Sequence, residues 1–478
     1  VTAALEQVPL AGLDRLASLT SGGRGKDSRY DDGLLSRHVR EGDTRLTKLL
    51  FDPSVAGRRL WAFLLSEEER LRAARSRGFK IVGAMKDLGT VPVIACSLPN
   101  VTAFYPDGAW WTPCLMECSD GLLRAADALG IDESFCPVRA MLGAFEVGNR
   151  FPIPDLLVCS TGSTCDDFAA ISQRLEHLGY PVLWWNIPAR RSPDPGEPAV
   201  VLRNSDWVRT RTSQPMEYNR ARAGCPVPSS QFDFVRDELS RVAQALGNLA
   251  GTTLTPDLFS RGVQAANRIR RVLARLRHLV FTAAACPLPA LELLIAEMTA
   301  IHFCSDRDEC LAVLEELAGE VERRCVSGEG FGGPDAVRAF WVNPVADLRV
   351  MNAVEAAGAR LCGTEFMFTH ALDEIPESAD ALSALAAMAL ADPMVGDSNA
   401  RATRVVEEAG ALGAEVVIVA RVPGASHSAF EGAVISERVR RELGIPVAEI
   451  EVPPLSDSIL PALRTRLEAV METARNMR

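Results

Sequence analysis

Two cysteines in this chain stand where a thiol can become reactive. Asp155-Leu-Leu-Val-Cys-Ser-Thr-Gly-Ser-Thr-Cys165-Asp-Asp-Phe168 runs from an apolar strand through a short polar loop into a helix, with Cys165 at the helix start. The free N–H groups and the dipole at a helix start stabilise a thiolate, the form that binds iron. Ser134-Phe-Cys136-Pro-Val-Arg139 repeats the arrangement, with Pro137 suited to a first helical turn. Two thiolates at strand–helix junctions of one sheet can converge on one point. The plain alternative is a core thiol, the expected state of most of the twelve cysteines. No pair keeps the CxxC spacing of a zinc ribbon or a thioredoxin-type motif. Cys96 ends an apolar run, Cys114 and Cys118 are four apart on a predicted helix, and Cys304 and Cys310 flank a helix start.

Other motifs carry less. Arg421-Val-Pro-Gly-Ala-Ser-His-Ser428 follows a strand and precedes a helix, so Ser426, His427 and Ser428 could polarise a ligand. The plain reading is a capping box, Ser428 at the N-cap with Glu431 three residues on. Ser327-Gly-Glu-Gly-Phe-Gly-Gly-Pro334 follows a helix and lacks GxGxxG spacing, which makes it a turn between domains. There is no GxxxxGK[ST] loop for ATP and no GxSxG elbow for a nucleophilic serine. Tyr105, Trp110 and Trp111 form an aromatic loop on which an acyl or aromatic group could stack, and Arg139, Arg190 and Arg191 could meet phosphates. Packing aromatics and solvated arginines are the default for both sets.

The elements that must position these groups alternate. Short apolar runs at Lys80–Met85, Val91–Cys96, Asp155–Cys159 and Pro181–Trp185 predict buried strands, separated by helices over Leu115–Leu129, Val138–Val147 and Asp166–Leu178. Pro188–Pro198 reads as a connector, and Ser230–Arg324 as almost wholly helical. Alternation resumes with strands at Ala339–Val342, Ala359–Cys362, Glu415–Ala420 and Pro446–Val452. The intervening helices cover Val345–Ala357, Ala379–Ala391, Ala400–Leu412, Ala429–Leu443 and Asp457–Ala474. The expected fold is α/β: two doubly wound, Rossmann-like parallel-sheet domains joined by a helical region. The expected division is an N-terminal helical extension at 1–75, a first α/β domain at 76–198, the helical region at 199–333 and a second α/β domain at 334–478. In such folds ligands gather at the carboxyl ends of the strands.

Composition narrows the function. A net charge of −11 over 478 residues argues against a nucleic-acid partner. The longest apolar runs are strand-sized, too short to span a bilayer. Val1–Leu10 lacks the basic start and apolar run of a signal peptide, so the expected compartment is the cytoplasm, where cysteines stay reduced.

Residues from about 80 to 475 resemble the 2-hydroxyacyl-CoA dehydratase / benzoyl-CoA reductase family, and in particular the iron–sulfur D-component of 2-hydroxyglutaryl-CoA dehydratase. The likeness rests on Cys136-Pro-Val-Arg-Ala-Met-Leu-Gly143, on Pro154-Asp-Leu-Leu-Val before Cys165-Asp166, and on Pro181-Val-Leu-Trp-Trp-Asn-Ile-Pro188. Later come Glu355-Ala-Ala-Gly-Ala359, Gly444-Ile-Pro446 and Thr465-Arg-Leu-Glu-Ala469. The resemblance implies an oxygen-sensitive [4Fe-4S] cluster held by three cysteines between the two domains. It implies a separate ATP-dependent activator, itself an iron–sulfur protein, that delivers one electron, and a CoA thioester substrate that reacts through a ketyl radical. It also implies a second homologous subunit or a homodimer. Cys136 and Cys165 match the first two cluster ligands. Where the family has its third, this chain reads Pro423-Gly-Ala-Ser-His-Ser-Ala-Phe-Glu431, with no cysteine. The remaining ligand is then His427, Ser428, Cys159, Cys362 or a partner's residue; Cys362 ends a predicted strand and could face the same cleft. The alternatives are a cluster-free structural subunit, or a double-cubane iron–sulfur reductase needing six ligands.

Overall fold

The structure, a computed structural model, describes residues 2–3, 6–7, 49–108, 119–148, 150–202, 225–301, 305–333, 335–377, 380–453 and 458–478, and of residues 426–430 the backbone alone. In chain order the first half carries α1 (Val55–Leu65), α2 (Glu67–Ser76), β1 (Lys80–Met85), α3 (Val91–Ala95), β2 (Val101–Phe104), α4 (Ser119–Ala128), α5 (Ala140–Val147), β3 (Leu156–Gly162), α6 (Asp166–His177) and β4 (Val182–Ile187). A hairpin of Ala199–Leu202 and Cys225–Pro228 leads to the helices α7 (Ser229–Ala250), α8 (Pro256–Thr282), α9 (Ala290–Ile301) and α10 (Arg307–Ser327). The second half carries β5 (Val337–Val342), α11 (Arg349–Ala356), β6 (Ala359–Glu365), α12 (Ala381–Ala391), α13 (Ser398–Ala411), β7 (Val416–Arg421), α14 (Ser426–Leu443), β8 (Val447–Glu451) and α15 (Leu460–Asn476).

β1 to β4 form one parallel sheet in the order β2-β1-β3-β4, and β5 to β8 form another in the order β6-β5-β7-β8. The two sheets have the same topology, so each has its switch point between its first and third strands, where the chain leaves toward opposite sides and opens a crevice. The inner strands are buried on both faces, as continuous apolar runs such as Val416–Ala420 require, while the edge strands β4 and β8 are partly exposed. This is the α/β fold of parallel sheets flanked by helices that the alternation predicts.

Two local expectations fail for physical reasons. Val91–Cys96 is a helix, not a strand. A short apolar run is compatible with either, but Pro92 sits in the first helical turn and the Asp87 carboxylate accepts the Val91 N–H at 2.5 Å, which starts a helix there. The strand of that unit is β2, a few residues on. The glycine-rich stretch after α10 is not turn alone: Gly330–Phe331 pairs as a short parallel strand with Thr2–Ala3.

The helical region docks onto the first half through a buried polar cluster. The Arg324 guanidinium binds Asp52 in a fork at 2.7 and 2.8 Å. The Asp52 N–H and the Trp61 indole N–H both donate to Glu292 Oε1, at 2.9 and 3.0 Å. Burial, reinforced by the nearby Asp52 and Glu355 charges, pushes the Glu292 carboxyl up to about 8. Folded protein thus holds this proton more tightly than unfolded chain, whose carboxyl titrates near 4.5. The resulting stability is full below pH 4.5 and is lost as pH rises through about 8. Urea midpoints should therefore fall between pH 6 and 9, and Glu292→Gln should flatten that fall by an amount on the order of a few kcal/mol.

Candidate functional site

The main cleft lies between the carboxyl ends of the two sheets and measures about 950 Å³ to its open mouth. Its polar lining comes from the first sheet. Lys86 and Asp87 follow β1, Tyr105 and Asp107 follow β2, and Cys165 and Asp167 stand at the β3–α6 junction. Cys136 joins them from a 3₁₀ turn, Pro137–Arg139, ahead of α5. The two sequence-predicted cysteines thus meet in one cleft. The opposite wall is apolar: Pro344 after β5, Phe366, Met367 and Phe368 after β6, Val422 and Ala425 after β7.

Asp167 spans the cysteine pair. Its Oδ1 accepts the Cys136 N–H at 3.4 Å, and its Oδ2 lies 3.9 Å from the Cys165 sulfur. Both cysteines are part-buried and line the cleft. The expected thiolates are not the resting state. Burial pushes Cys165 up to about 11, with Lys86 pulling down and Asp167 pushing up; the N–H groups at the start of α6 help but do not win. Burial raises Cys136 further, and the adjacent Cys165 and Asp167 add to it. These are neutral thiols that a bound cation would have to deprotonate.

Beside them Asp87 is buried and pushed above its usual range by desolvation, although the Tyr105 hydroxyl donates to it at 2.7 Å. The loop that carries it is strained: Lys86 and Leu88 have φ of 52° and 57°, and on the other wall Asn343 and Met367 have φ of 77° and 63°. Left-handed backbone at non-glycine residues costs energy and concentrates at functional sites.

The second wall is held by Arg401 on α13, a fully buried guanidinium. It binds Glu365 at the end of β6 (2.5 Å), the side chain of Asn343 at the end of β5, and Glu431 on α14. Asn343 in turn donates to Ala420 O at 2.8 Å. Burial alone would raise Glu365, but Arg401 holds it below the usual range. Glu431 pairs with Arg401, and α14 begins at Ser426 with Ala425 at its N-cap, which overturns the capping box with Ser428 at the N-cap. From this frame Gly424 reaches across to the first half. With φ of 80°, its missing Cβ would lie 2.4 Å from Phe135 O and 2.9 Å from Cys136 N.

The other sequence candidates fall elsewhere. Cys362 does not line the cleft: it is fully buried in β6, near the Arg338, Arg360 and Glu415 charges at the other end of the sheet. Three residues before the strand's end, it lies too far back to face the cleft. Cys159 is buried in β3 against the Ser160 and Phe168 carbonyls. The side chains of His427 and Ser428 lie outside the described residues, as do Trp110, Trp111, Cys114, Cys118 and Cys304. Arg139 is bound to Asp127 and Arg190 to the Leu390 and Asp392 carbonyls, so both brace the fold, while Arg191 pairs with Glu197 on the surface. Sequence reading missed Lys86, Asp87 and Asp167 as cleft residues. Their signal was their place after β1 and β3, the two strands at the switch point. Among the described residues no group of three or more His, Cys, Asp or Glu is arranged to hold a metal ion.

Twin parallel sheets of one topology, with a thiol pair in the crevice at both switch points, define a two-half α/β protein built to hold a ligand between its halves. The model of the 2-hydroxyglutaryl-CoA dehydratase D-component family matches residues 100–474, and the chain belongs to that family. Among curated proteins none matches. No described helix is long and apolar enough to cross a membrane.

Replacing Arg401 by Met leaves Glu365 buried without its cation, and denaturant unfolding should show a loss of about 3–5 kcal/mol, partly recovered in the Arg401→Met/Glu365→Gln double variant. Gly424→Ala should push the loop off Cys136. The rate of Cys136 labelling by a maleimide, followed by mass spectrometry, should rise several-fold while that of surface Cys225 stays constant.

Proposed function

We propose that this chain is the subunit of an oxygen-sensitive [4Fe-4S] enzyme that removes water from a 2-hydroxyacyl-CoA, or reduces an aromatic acyl-CoA, by one-electron chemistry. The observation that carries the reading is the convergence of Cys136 and Cys165 in the cleft of a chain that belongs to this dehydratase family. The donor set fits an iron site in part. Cys136 and Cys165 would hold the cluster from the first wall. His427 or Ser428, at the start of α14 beside the docked Gly424 loop, or a residue of a second subunit, would complete it. When bound, such a cluster supplies a low-potential electron and a Lewis-acidic iron.

The chain's own groups have separate work. Lys86 favours the thiolates that iron needs, and its field acts on both sulfurs. Asp167 orients them. Tyr105, whose hydroxyl donates to the buried Asp87, is the group of the cleft suited to supply the proton that a departing hydroxyl takes, with Asp87 orienting it. With no GxxxxGK[ST] loop here, the ATP-dependent step belongs to a separate activator, an iron–sulfur protein that hands over the electron.

A second reading is a cluster-free subunit that completes a partner's cleft. The lack of a cysteine in Pro423–Glu431 favours it. A double-cubane cluster, which needs six ligands, draws no support from two cleft cysteines. Iron and acid-labile sulfide on anaerobically purified protein separate the readings. About four irons per chain, as a cubane requires, with loss in Cys165→Ser, is the expected result. A value near zero in the wild type would leave the structural reading.

A further inference from the structure

We propose that the cleft selects a CoA thioester whose acyl chain is apolar beyond the reacting carbon, and discriminates against one that ends in a second carboxylate. The inference rests on the acyl-CoA reading above and deepens it by naming the acyl class. It follows from the division of the two walls. Every ionisable side chain among the described residues lining the cleft comes from the first sheet's side: Lys86, Asp87, Asp107 and Asp167, with Tyr105 and the cysteine pair. Every described side chain contributed by the loops after β5, β6 and β7 is apolar. Phe366 and Phe368 stand there as a stacked pair, ring centroids 5.7 Å apart and 18° between planes, and Ile301 at the end of α9 closes the gap between the walls. A ligand seated between them must turn its oxygen-bearing reacting end to the thiols and its acyl chain to the phenylalanines.

Charge enforces the same choice. Among the described residues that line it, the cleft sets one ammonium, Lys86, against three carboxyl groups, and the field of Lys86 falls on the two sulfurs and on Asp392. A terminal carboxylate on the acyl chain would lie either against Phe368, which stacks on the buried Phe366, stripped of water and unpaired, or beside Asp107 and Asp167, against like charge. A methyl group in its place meets only carbon. Pocket discrimination of this kind is worth about tenfold to hundredfold in binding.

The test is equilibrium binding to the anaerobically purified full chain, with 2-hydroxypentanoyl-CoA, 2-hydroxyglutaryl-CoA and CoA alone as probes. The two acyl probes have the same carbon count and differ only in methyl against carboxylate. The pentanoyl thioester should bind at least tenfold tighter than the glutaryl one, and Phe368→Ala should weaken it severalfold while leaving CoA unchanged. Glutaryl binding equal to or tighter than pentanoyl would overturn the inference, leave the acyl-CoA reading standing, and make the amino end of α14 the carboxylate's receptor. Pentanoyl preference that survives Phe368→Ala undiminished would overturn the role of the second wall. If neither acyl thioester binds better than CoA, the acyl-CoA reading fails, and the inference with it.

Discussion

The cleft depends on one buried guanidinium. Arg401 holds the ends of β5 and β6 and the first turns of α14 in a single set of charged hydrogen bonds. A buried ion pair of this kind is weak evidence for stability, because desolvating the two charges offsets much of their attraction. What it fixes is geometry. A guanidinium presents its donors in a rigid plane, so three elements that bind it share one orientation. The loop after β7 inherits that orientation, and through Gly424 so does the contact with Phe135 and Cys136. A chain of close contacts therefore links the second sheet to the cysteine of the first.

The repeated strand order gives that linkage its purpose. In each sheet the third strand lies on the other side of the first strand from the second, so the helices leave on opposite faces and the strand ends are uncovered between them. Two such openings facing each other make a cleft without any dedicated loop. Lys86, Leu88, Asn343 and Met367 adopt left-handed backbone at just these ends. Ser160 on β3 and Trp341 on β5 bond to the carbonyls of Lys86 and Asn343, which helps hold two of the four in place. For Lys86, Leu88 and Asn343 the strain is tolerated because the strand that ends there, β1 or β5, is buried and hydrogen-bonded on both sides; Met367 follows the buried edge strand β6.

Much of this was legible in the sequence. Alternating apolar runs and amphipathic segments predict the parallel α/β halves, because buried strands and 3.6-period helices leave different patterns. Cys165 was visible because it precedes a helix at the end of a strand; Cys136 was visible because Pro137 follows it at a helix start, but it lies between α4 and a 3₁₀ turn and not at the expected strand–helix junction. Val91–Cys96 was misread because five apolar residues suit a strand or a helix equally, and only the Asp87 carboxylate, four residues upstream, decides between them. Cys362 was misplaced because the β6 strand runs three residues past the predicted end, which turns an apparent strand-end thiol into a core one. The buried Arg401 network had no local signature at all. Its partners lie 30, 36 and 58 residues away, and only the tertiary fold brings them together.

The missing third cysteine takes on a different meaning against this frame. The loop after β7 is placed by Glu431, Gly424 and the end of β7, none of which is itself a ligand. The scaffold that would present a third donor is therefore separable from the donor. A change of Cys to Ser or His at residues 426–428 would leave the backbone path intact, since the charges that set it lie at 401 and 431. A purely structural paralogue would have little reason to keep two thiols neutral, half-sheltered and bridged by Asp167 at the mouth of a strained cleft. Thiols that burial holds protonated are costly to ionise without a metal and ready to bind one when it arrives. On the proposed reading that combination suits a site loaded after folding, with the first wall, rather than the loop after β7, at the centre of its chemistry.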